Sequence, residues 1–512
     1  MAFSCSHILS QLRSDVESSE NKEHPEERKP VKRKYPFPAL VEDKPKDDEI
    51  LPEAVDLLES IFSSLCPFKD DSPNSEDIPV ECETNIVSSS NHDDTEIETS
   101  VTEQTTNNHK GLEDIDVAVD IDDQTQMNKE LDEIYDFADI PAQITGSWQE
   151  FDSKKTNNFT KGCKWAPDGS CIMTCSDDNY LRLFNLPLEL WDSSKWSEMS
   201  ELEVALKISE GELIYDYCWY PLMNSSEPNT CCLLSCSKNA PAHLWDAFTG
   251  ELRCSYRSYD QMDEITAARS LSFDTDGQRI FCGFEKTVRI FDVNLPGRHC
   301  EVRPTFAKKS GQIGIISCFA FTPQNRSISA IGSYGKSIGI YSEPHGELEF
   351  LLEGQRGGVT QLQFSPDGNH LYSGGRKDPE ILCWDMRNLG TVLYAMRRVC
   401  STNQRMHFDI SRSGKYIVSG NNNGVITVWD TAQEPKVVGF ADIPILEPTL
   451  FFMGHNDCVN GISLHPTYPL LCSSSGQRIY PDLLPEEEDG MFDRTVISRD
   501  NSLRLWWIGK SN

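Results

Sequence analysis

Beyond about residue 146 the chain alternates apolar and polar positions at the period of a β-strand, and this alternation recurs at long range. Seven short apolar runs each end on an aromatic: Phe184, Trp245, Phe291, Tyr341, Trp384, Trp429 and Trp506. The spacings between successive aromatics are 61, 46, 50, 43, 45 and 77 residues. Four of these fall near the ~40–45 residues of a WD40 repeat, so the two long ones must hold loop insertions. Trp245-Asp246, Trp384-Asp385 and Trp429-Asp430 carry the Trp-Asp pair of that repeat, with Phe291-Asp292 a close substitute.

Each unit also holds an earlier strand with a turn behind it. Asp168-Gly169, Asp276-Gly277 and Asp367-Gly368 supply the turn chemistry that joins two antiparallel strands. A short strand ending in small residues follows, as at 371–374, 416–420 and 470–473, and small residues suit the crowded middle of a blade. Three such strands per unit, seven times over, predict an all-β, seven-bladed WD40 β-propeller. The last unit leaves only residues 508–512 after Trp507, too few for an outer strand. An unpaired blade edge would invite aggregation. The alternating stretch 143–151, just upstream of the first unit, is therefore expected to complete the seventh blade, giving a propeller over 143–509.

Upstream of residue 143 the strand pattern is lost. Residues 1–145 hold 12 Lys+Arg against 36 Asp+Glu, most of the chain's net charge of −34. Such a segment buries too little apolar surface to offset the entropy of ordering it, so 1–142 reads as a long disordered acidic N-terminal tail. Two islands interrupt it. Arg28, Lys29, Lys32, Arg33 and Lys34 form a compact basic run of the kind an import receptor reads, a nuclear import signal. Over 52–66, Val55, Leu58, Phe62 and Leu65 recur at helical spacing between Pro52 and Pro67, a docking helix for a partner or for the chain's own propeller.

Other function classes are excluded by pattern. No apolar run approaches the ~20 residues of a membrane helix, so no membrane association is expected. The first residues lack the basic and apolar regions of a secretory signal, and the 18 cysteines then read as reduced thiols. The stretch 332–337 resembles a phosphate loop, but Ala330 stands where it needs glycine and a strand follows where it needs a helix. Cys171, Cys175, Cys231, Cys232 and Cys236 sit on strands without a matching zinc-spaced pair and read as buried small hydrophobes. With no catalytic motif, the chain is expected to be neither an enzyme nor a holder of metal or cofactor.

Loop charge is more informative. In a propeller, the turns between second and third strands and the links between blades emerge on one face. In blades three to seven that face carries Lys286, Lys308, Lys309, Lys336, Arg356, Arg376, Lys377, Arg405 and Arg478, against Glu285, Glu353, Asp378, Glu380 and Asp457. The opposite face collects Asp274, Asp276, Glu301, Glu343, Glu347, Asp367, Asp385, Asp430 and Glu434. One cationic face on an anionic protein is the footprint of phosphate contact, and Phe284, Phe306 and Tyr334 lie near enough to stack on unpaired bases.

The stretches 161–170, 214–219, 245–252, 305–309, 374–378 and 475–478 resemble the telomerase Cajal-body protein family across roughly residues 143–509. Of the face residues, the match includes Lys308, Lys309, Arg376, Lys377, Arg405, Gln477 and Arg478. The resemblance implies a non-enzymatic RNA-binding scaffold that recognises the CAB box of small Cajal-body RNAs and of telomerase RNA. It implies as partners those RNAs, H/ACA ribonucleoprotein proteins such as dyskerin, telomerase reverse transcriptase through the particle, and a chaperonin for folding. It places the protein in the nucleus, in Cajal bodies and at telomeres, with a cytoplasmic pool. A different class stays open: Trp384, Asp385 and Arg387 fit the WDxR pattern of substrate receptors of cullin-type ubiquitin ligases.

Replacing Lys32, Arg33 and Lys34 by alanine is expected to slow nuclear entry of a fluorescently tagged chain without changing the propeller's thermal midpoint. Unaltered accumulation in the nucleus would show that entry depends on a partner instead.

Overall fold

The computed structural model describes residues 135–153, 157–191, 199–323, 327–437, 443–479 and 499–510. The import run and the 52–66 segment lie outside the described residues, as does the rest of the tail up to residue 134. Among the described residues every regular element is a β-strand or a short 3-10 turn.

The seven repeats form seven blades of four antiparallel strands, and blade five gains Ile445–Leu446 as a fifth, parallel strand. Blade one takes 160–209, blade two 214–256, blade three 270–304, blade four 316–353, blade five 359–397 and blade six 408–453. Blade seven combines 459–464, 470–475 and 503–507 with Ala142–Ser147 as its outermost strand. The first strands of neighbouring blades pack side by side around a central channel, Thr160–Trp165 against Val459–Leu464 included. Second strands such as Cys232–Ser237 and Leu470–Ser475 are buried at every position, because another blade lies on each side. Their small residues answer that crowding: a Cβ on Gly420 would lie 2.3 Å from the Val459 carbonyl oxygen of the next blade. The apolar core therefore sits between blades, with Trp384 and Trp429 wholly enclosed. The five cysteines at 171, 175, 231, 232 and 236 belong to it, and burial pushes the Cys171 and Cys175 thiols up to about 12.

A polar tether repeats from blade to blade. In blade five, Trp384 Nε1 donates to Ser373 Oγ at 2.8 Å, and Ser373 donates to Gln355 Oε1 at 2.8 Å. Gln355 belongs to the link that enters the blade, so the tether pins that link to the third strand. Blade seven repeats the wiring as Trp506, Ser473 and His455, and blade two as Trp245, Ser235 and Glu210. Blade one substitutes Arg182, which binds Ser176 Oγ and Glu150 at 2.7 Å each. In blade four Tyr341 donates directly to Gln312 at 3.2 Å. Blade six breaks the pattern: the Trp429 indole N–H has no partner among the described residues, while Arg398 binds Ser419 Oγ at 3.1 Å.

The ring closes where Ala142 pairs with Trp507 and Ser147 with Leu503. The strand ends at Ser147, because Gln149–Phe151 turns into a 3-10 segment that drives Phe151 against Phe184. Contacts begin upstream of residue 143: Tyr135 and Phe137 are buried, the Asp136 amide donates to the Ile508 carbonyl at 2.7 Å, and Phe137 packs edge-on against Tyr416.

A Cβ on Gly146 would lie 2.4 Å from the Leu503 carbonyl oxygen, so this pairing tolerates no side chain there. Gly146→Val is expected to cost about 1–3 kcal/mol in chemical denaturation and to promote aggregation. An unchanged midpoint would show that closure of blade seven contributes nothing to stability.

Candidate nucleic-acid interface

Because strands alternate in direction, the Asp-Gly turns open on one face and the turns between second and third strands open on the other. The second face is the unusual one. Its turns need a residue in the left-handed region, and blades one, two and six use Asn179, Asn239 and Gly424, residue types suited to it. Blades three, four and five use Lys286, Lys336 and Lys377, at φ of 52, 68 and 51°. Two more lysines, Lys308 and Lys309, take φ of 50 and 64° at the tip of a small hairpin in the link between blades three and four. A left-handed lysine costs roughly 1 kcal/mol relative to glycine. Five of them on one face mark a place where charge is retained against backbone preference. All five are exposed.

Inside this rim, guanidinium and ammonium groups lie over aromatic rings. Arg376 sits 3.5 Å above the centroid of Tyr334, Arg269 4.5 Å above Tyr215 and Arg289 5.1 Å above Phe284. Lys161 and Arg478 share Phe159, at 5.6 and 5.7 Å, and both reach Asp177 at 3.1 Å. The channel mouth between them is a cavity of 460 Å³ lined by Lys161, Arg376, Arg405 and Arg478, with Asp216 as its one carboxylate among the described residues. A second cavity, beside the far ends of the innermost strands, is walled by Phe273, Phe319, Phe321 and Phe364 with Ser272, Asp274, Thr275 and Gln363.

Two of the sequence-predicted residues do something other than expected. Arg405, expected among the solvent-facing cations, is a strut across the channel. It leaves the link between blades five and six and meets Asp216 of blade two at 3.0 Å, then donates to the carbonyls of Arg269 at 3.2 Å and Ser317 at 3.1 Å. Burial pushes the Asp216 carboxyl up, but Arg405 and Lys164 more than offset this and hold it below the usual carboxylate range. Tyr334, expected to offer a ring to a base, has one face under Arg376. Gln477 donates to Asp457 at 2.7 Å, Arg356 reaches Glu380 at 3.7 Å, and Lys286 pairs with its neighbour Glu285 at 3.3 Å.

The opposite face is less acidic than its loops suggest. Glu343 is buried between Arg279 at 3.2 Å and Arg303 at 2.9 Å, and Asp274 is held by Arg279 at 3.0 Å. Arg387 is exposed there and pairs with Asp385 at 3.1 Å. Phe159, Lys161, Tyr215, Arg269 and Arg289 escaped the sequence reading because they lie on strands, or at the edge of one, and the charge count took loop residues alone. For all but Arg289, which lies on a third strand, the signal was available: the first residue or two of each innermost strand, or the residue just before it, must stand at the channel mouth.

A WD domain, G-beta repeat model matches residues 154–185, 346–385 and 446–480. Telomerase Cajal body protein 1 of Mus musculus is 49% identical over 382 residues, 73% of this chain and 70% of its own length. The Homo sapiens protein of the same name is 48% identical over 381 residues, 73% and 68% of the two chains. The Drosophila melanogaster homologue is 34% identical over 388 residues, 70% and 67%.

Removing one partner of a largely buried ion pair leaves the other uncompensated, so Arg405→Met is expected to destabilise the chain by about 3 kcal/mol. Because the Asp216 carboxyl titrates below its unfolded value, its stabilisation is present above pH ~4 and is lost on further acidification. The triple change Lys286→Asn, Lys336→Asn and Lys377→Asn is expected to leave stability unchanged or raise it by ~1 kcal/mol. Urea titrations of both variants check this, and a loss in the triple variant comparable to that of Arg405→Met would contradict the assignment of strut and rim.

Proposed function

The chain belongs to the telomerase Cajal body protein family, and we propose that it acts as a non-enzymatic RNA-binding scaffold. It recognises the CAB box in loops of small Cajal-body RNAs and telomerase RNA. Through these RNAs it directs H/ACA ribonucleoproteins, with dyskerin among their proteins, and telomerase with its reverse transcriptase to Cajal bodies in the nucleus. It thereby supports telomere maintenance, with a cytoplasmic pool that a chaperonin folds. The relatives' name supports the telomerase and Cajal-body part of this reading.

The observation that carries the RNA part is the channel-mouth face, where left-handed lysines surround cations lying on aromatic rings. Duplex DNA hides its bases, whereas RNA loops expose them for stacking and edge contacts alongside phosphate. Flat guanidinium–aromatic pairs suit a base's π face, each stacked base contributing about 1–3 kcal/mol. Rim lysines suit the backbone. Arg356, Arg376, Lys377, Gln477 and Arg478 are the remaining groups of this face assigned to RNA. Arg405 contributes by holding the mouth's shape.

Charge reversal at Lys308 with Lys309, at Arg376 with Lys377, or at Arg478 is expected to weaken binding of CAB-box RNA. Each lost phosphate contact should also flatten the slope of log affinity on log salt by about 0.7. Reversal of Arg387, Arg412 and Lys415 on the opposite face should matter far less. Filter-binding titrations across salt concentrations check this, and equal losses from the two faces would reject the site. Recovery of a ligase adaptor that resists nuclease and requires Arg387 would favour the ubiquitin-ligase class instead.

A further inference from the structure

The RNA-binding reading above leaves one feature of the channel mouth without a role, and the inference here rests on that reading. Buried side-chain polar atoms without a hydrogen-bond partner among the described residues include Tyr217 Oη, Arg376 Nε and His407 Nδ1. All three residues line the same 460 Å³ cavity, beside Lys161, whose ammonium pairs with Asp177 at 3.1 Å. A buried polar group left unsatisfied costs about 1–3 kcal/mol, so three around one space describe a site built for something that is not protein. Tyr217 is 3% exposed, so its hydroxyl is shielded from bulk water.

The chemistry of the wall selects the occupant. Lys161 and Arg376 can only donate. The Tyr217 phenol stays protonated, since burial pushes its pKa well above the usual value, and it too has a hydrogen to give. Burial, then the Lys164 and Arg405 charges, press His407 down to about 3, so its imidazole is neutral and adds no charge. Asp216, the one carboxylate, is saturated by Arg405 at 3.0 Å, the Tyr217 amide at 3.0 Å and the Leu271 amide at 3.3 Å. The occupant must therefore bring acceptors and tolerate positive charge. Tyr215 and Phe159 at the same wall favour a planar group. The volume falls in the ~300–1,000 Å³ range of small-ligand sites.

We propose that the cavity is a subsite for one unpaired nucleotide of the bound loop, with a keto base inserted and its phosphate at the rim on Arg376 and Arg478. Guanine O6 and uracil O4 present a carbonyl acceptor at the position where the other two bases carry an amino group. Adenine N6 and cytosine N4 would set that amino group against the donors.

The test uses the full chain and hairpin RNAs carrying the CAB box, with an abasic residue placed at each loop position in turn. One position is expected to dominate, losing about tenfold or more in affinity, as removal of a stacked base does. Adenosine or cytidine at that position should lose nearly as much. Tyr217→Phe should bind intact RNA several-fold more weakly, yet bind the RNA abasic at that position as well as the unaltered chain does. At other positions the two losses should multiply. Tyr217→Phe deletes a buried orphan, so its denaturation midpoint should hold or rise. Arg376→Gln at the rim gives the same cycle should Tyr217→Phe fail to fold. Losses that multiply at every position, or the absence of a dominant position, would show that the cavity holds water only and overturn the subsite while leaving RNA binding intact. No binding of the intact hairpin would overturn both.

Discussion

The tether from third-strand aromatic through second-strand serine to the incoming link is the interaction on which the candidate interface depends. Blades two, five and seven use tryptophan for it, and the partner in the link is Glu210, Gln355 or His455. Each bond lies away from water, so its geometry is enforced by the cost of leaving a buried donor unmet. Link and third strand thereby become one rigid body, and the channel-mouth face inherits that rigidity. In blade seven the tether continues from His455 to Asp500, whose carboxyl is held far below its usual range although burial opposes this. A cation or ring on a fixed loop loses less freedom on binding than one on a mobile loop.

A chain of net charge −34 with a cationic site separates two electrostatic scales. At physiological salt, fields between exposed charges fade over about 8 Å, so a ligand within contact of the mouth meets Lys308, Lys336 and Lys377 and little of the distant acid. Local placement outweighs total charge. The left-handed lysines give the placement a thermodynamic signature, because blades one, two and six fill the same turn at lower cost with asparagine or glycine.

The fold was legible because propeller periodicity is written twice, in aromatics that end third strands and in Asp-Gly turns that end first strands. Both signals are local, and local signals survive in a linear reading. The site was legible only as a face. Lys308, Lys336 and Lys377 stand where strand alternation puts them, but Arg405 and Asp216 are 189 residues apart in sequence and meet across the channel. No periodicity foretells such a contact. Lys161 and Tyr215 escaped for a different reason: residues on innermost strands read as core, and only the ring of seven such strands turns their first positions toward a shared opening. The reading of 143–151 as one strand missed the 3-10 turn because Gln149, Glu150 and Phe151 continue the alternation while the backbone leaves the sheet.

Closing blade seven with Ala142–Ser147 also sets a clock on biosynthesis. The strand leaves the ribosome early, and its partner Leu503–Trp507 follows some 360 residues later. At ~5–20 residues per second that delay is on the order of 20–70 s. During it the blades emerge one after another without the seam that joins them, and every nascent chain nearby carries the same unpaired strand. Exchange of that strand between two growing chains would satisfy the same hydrogen bonds, so the architecture favours isolation of each chain until its own C-terminus arrives.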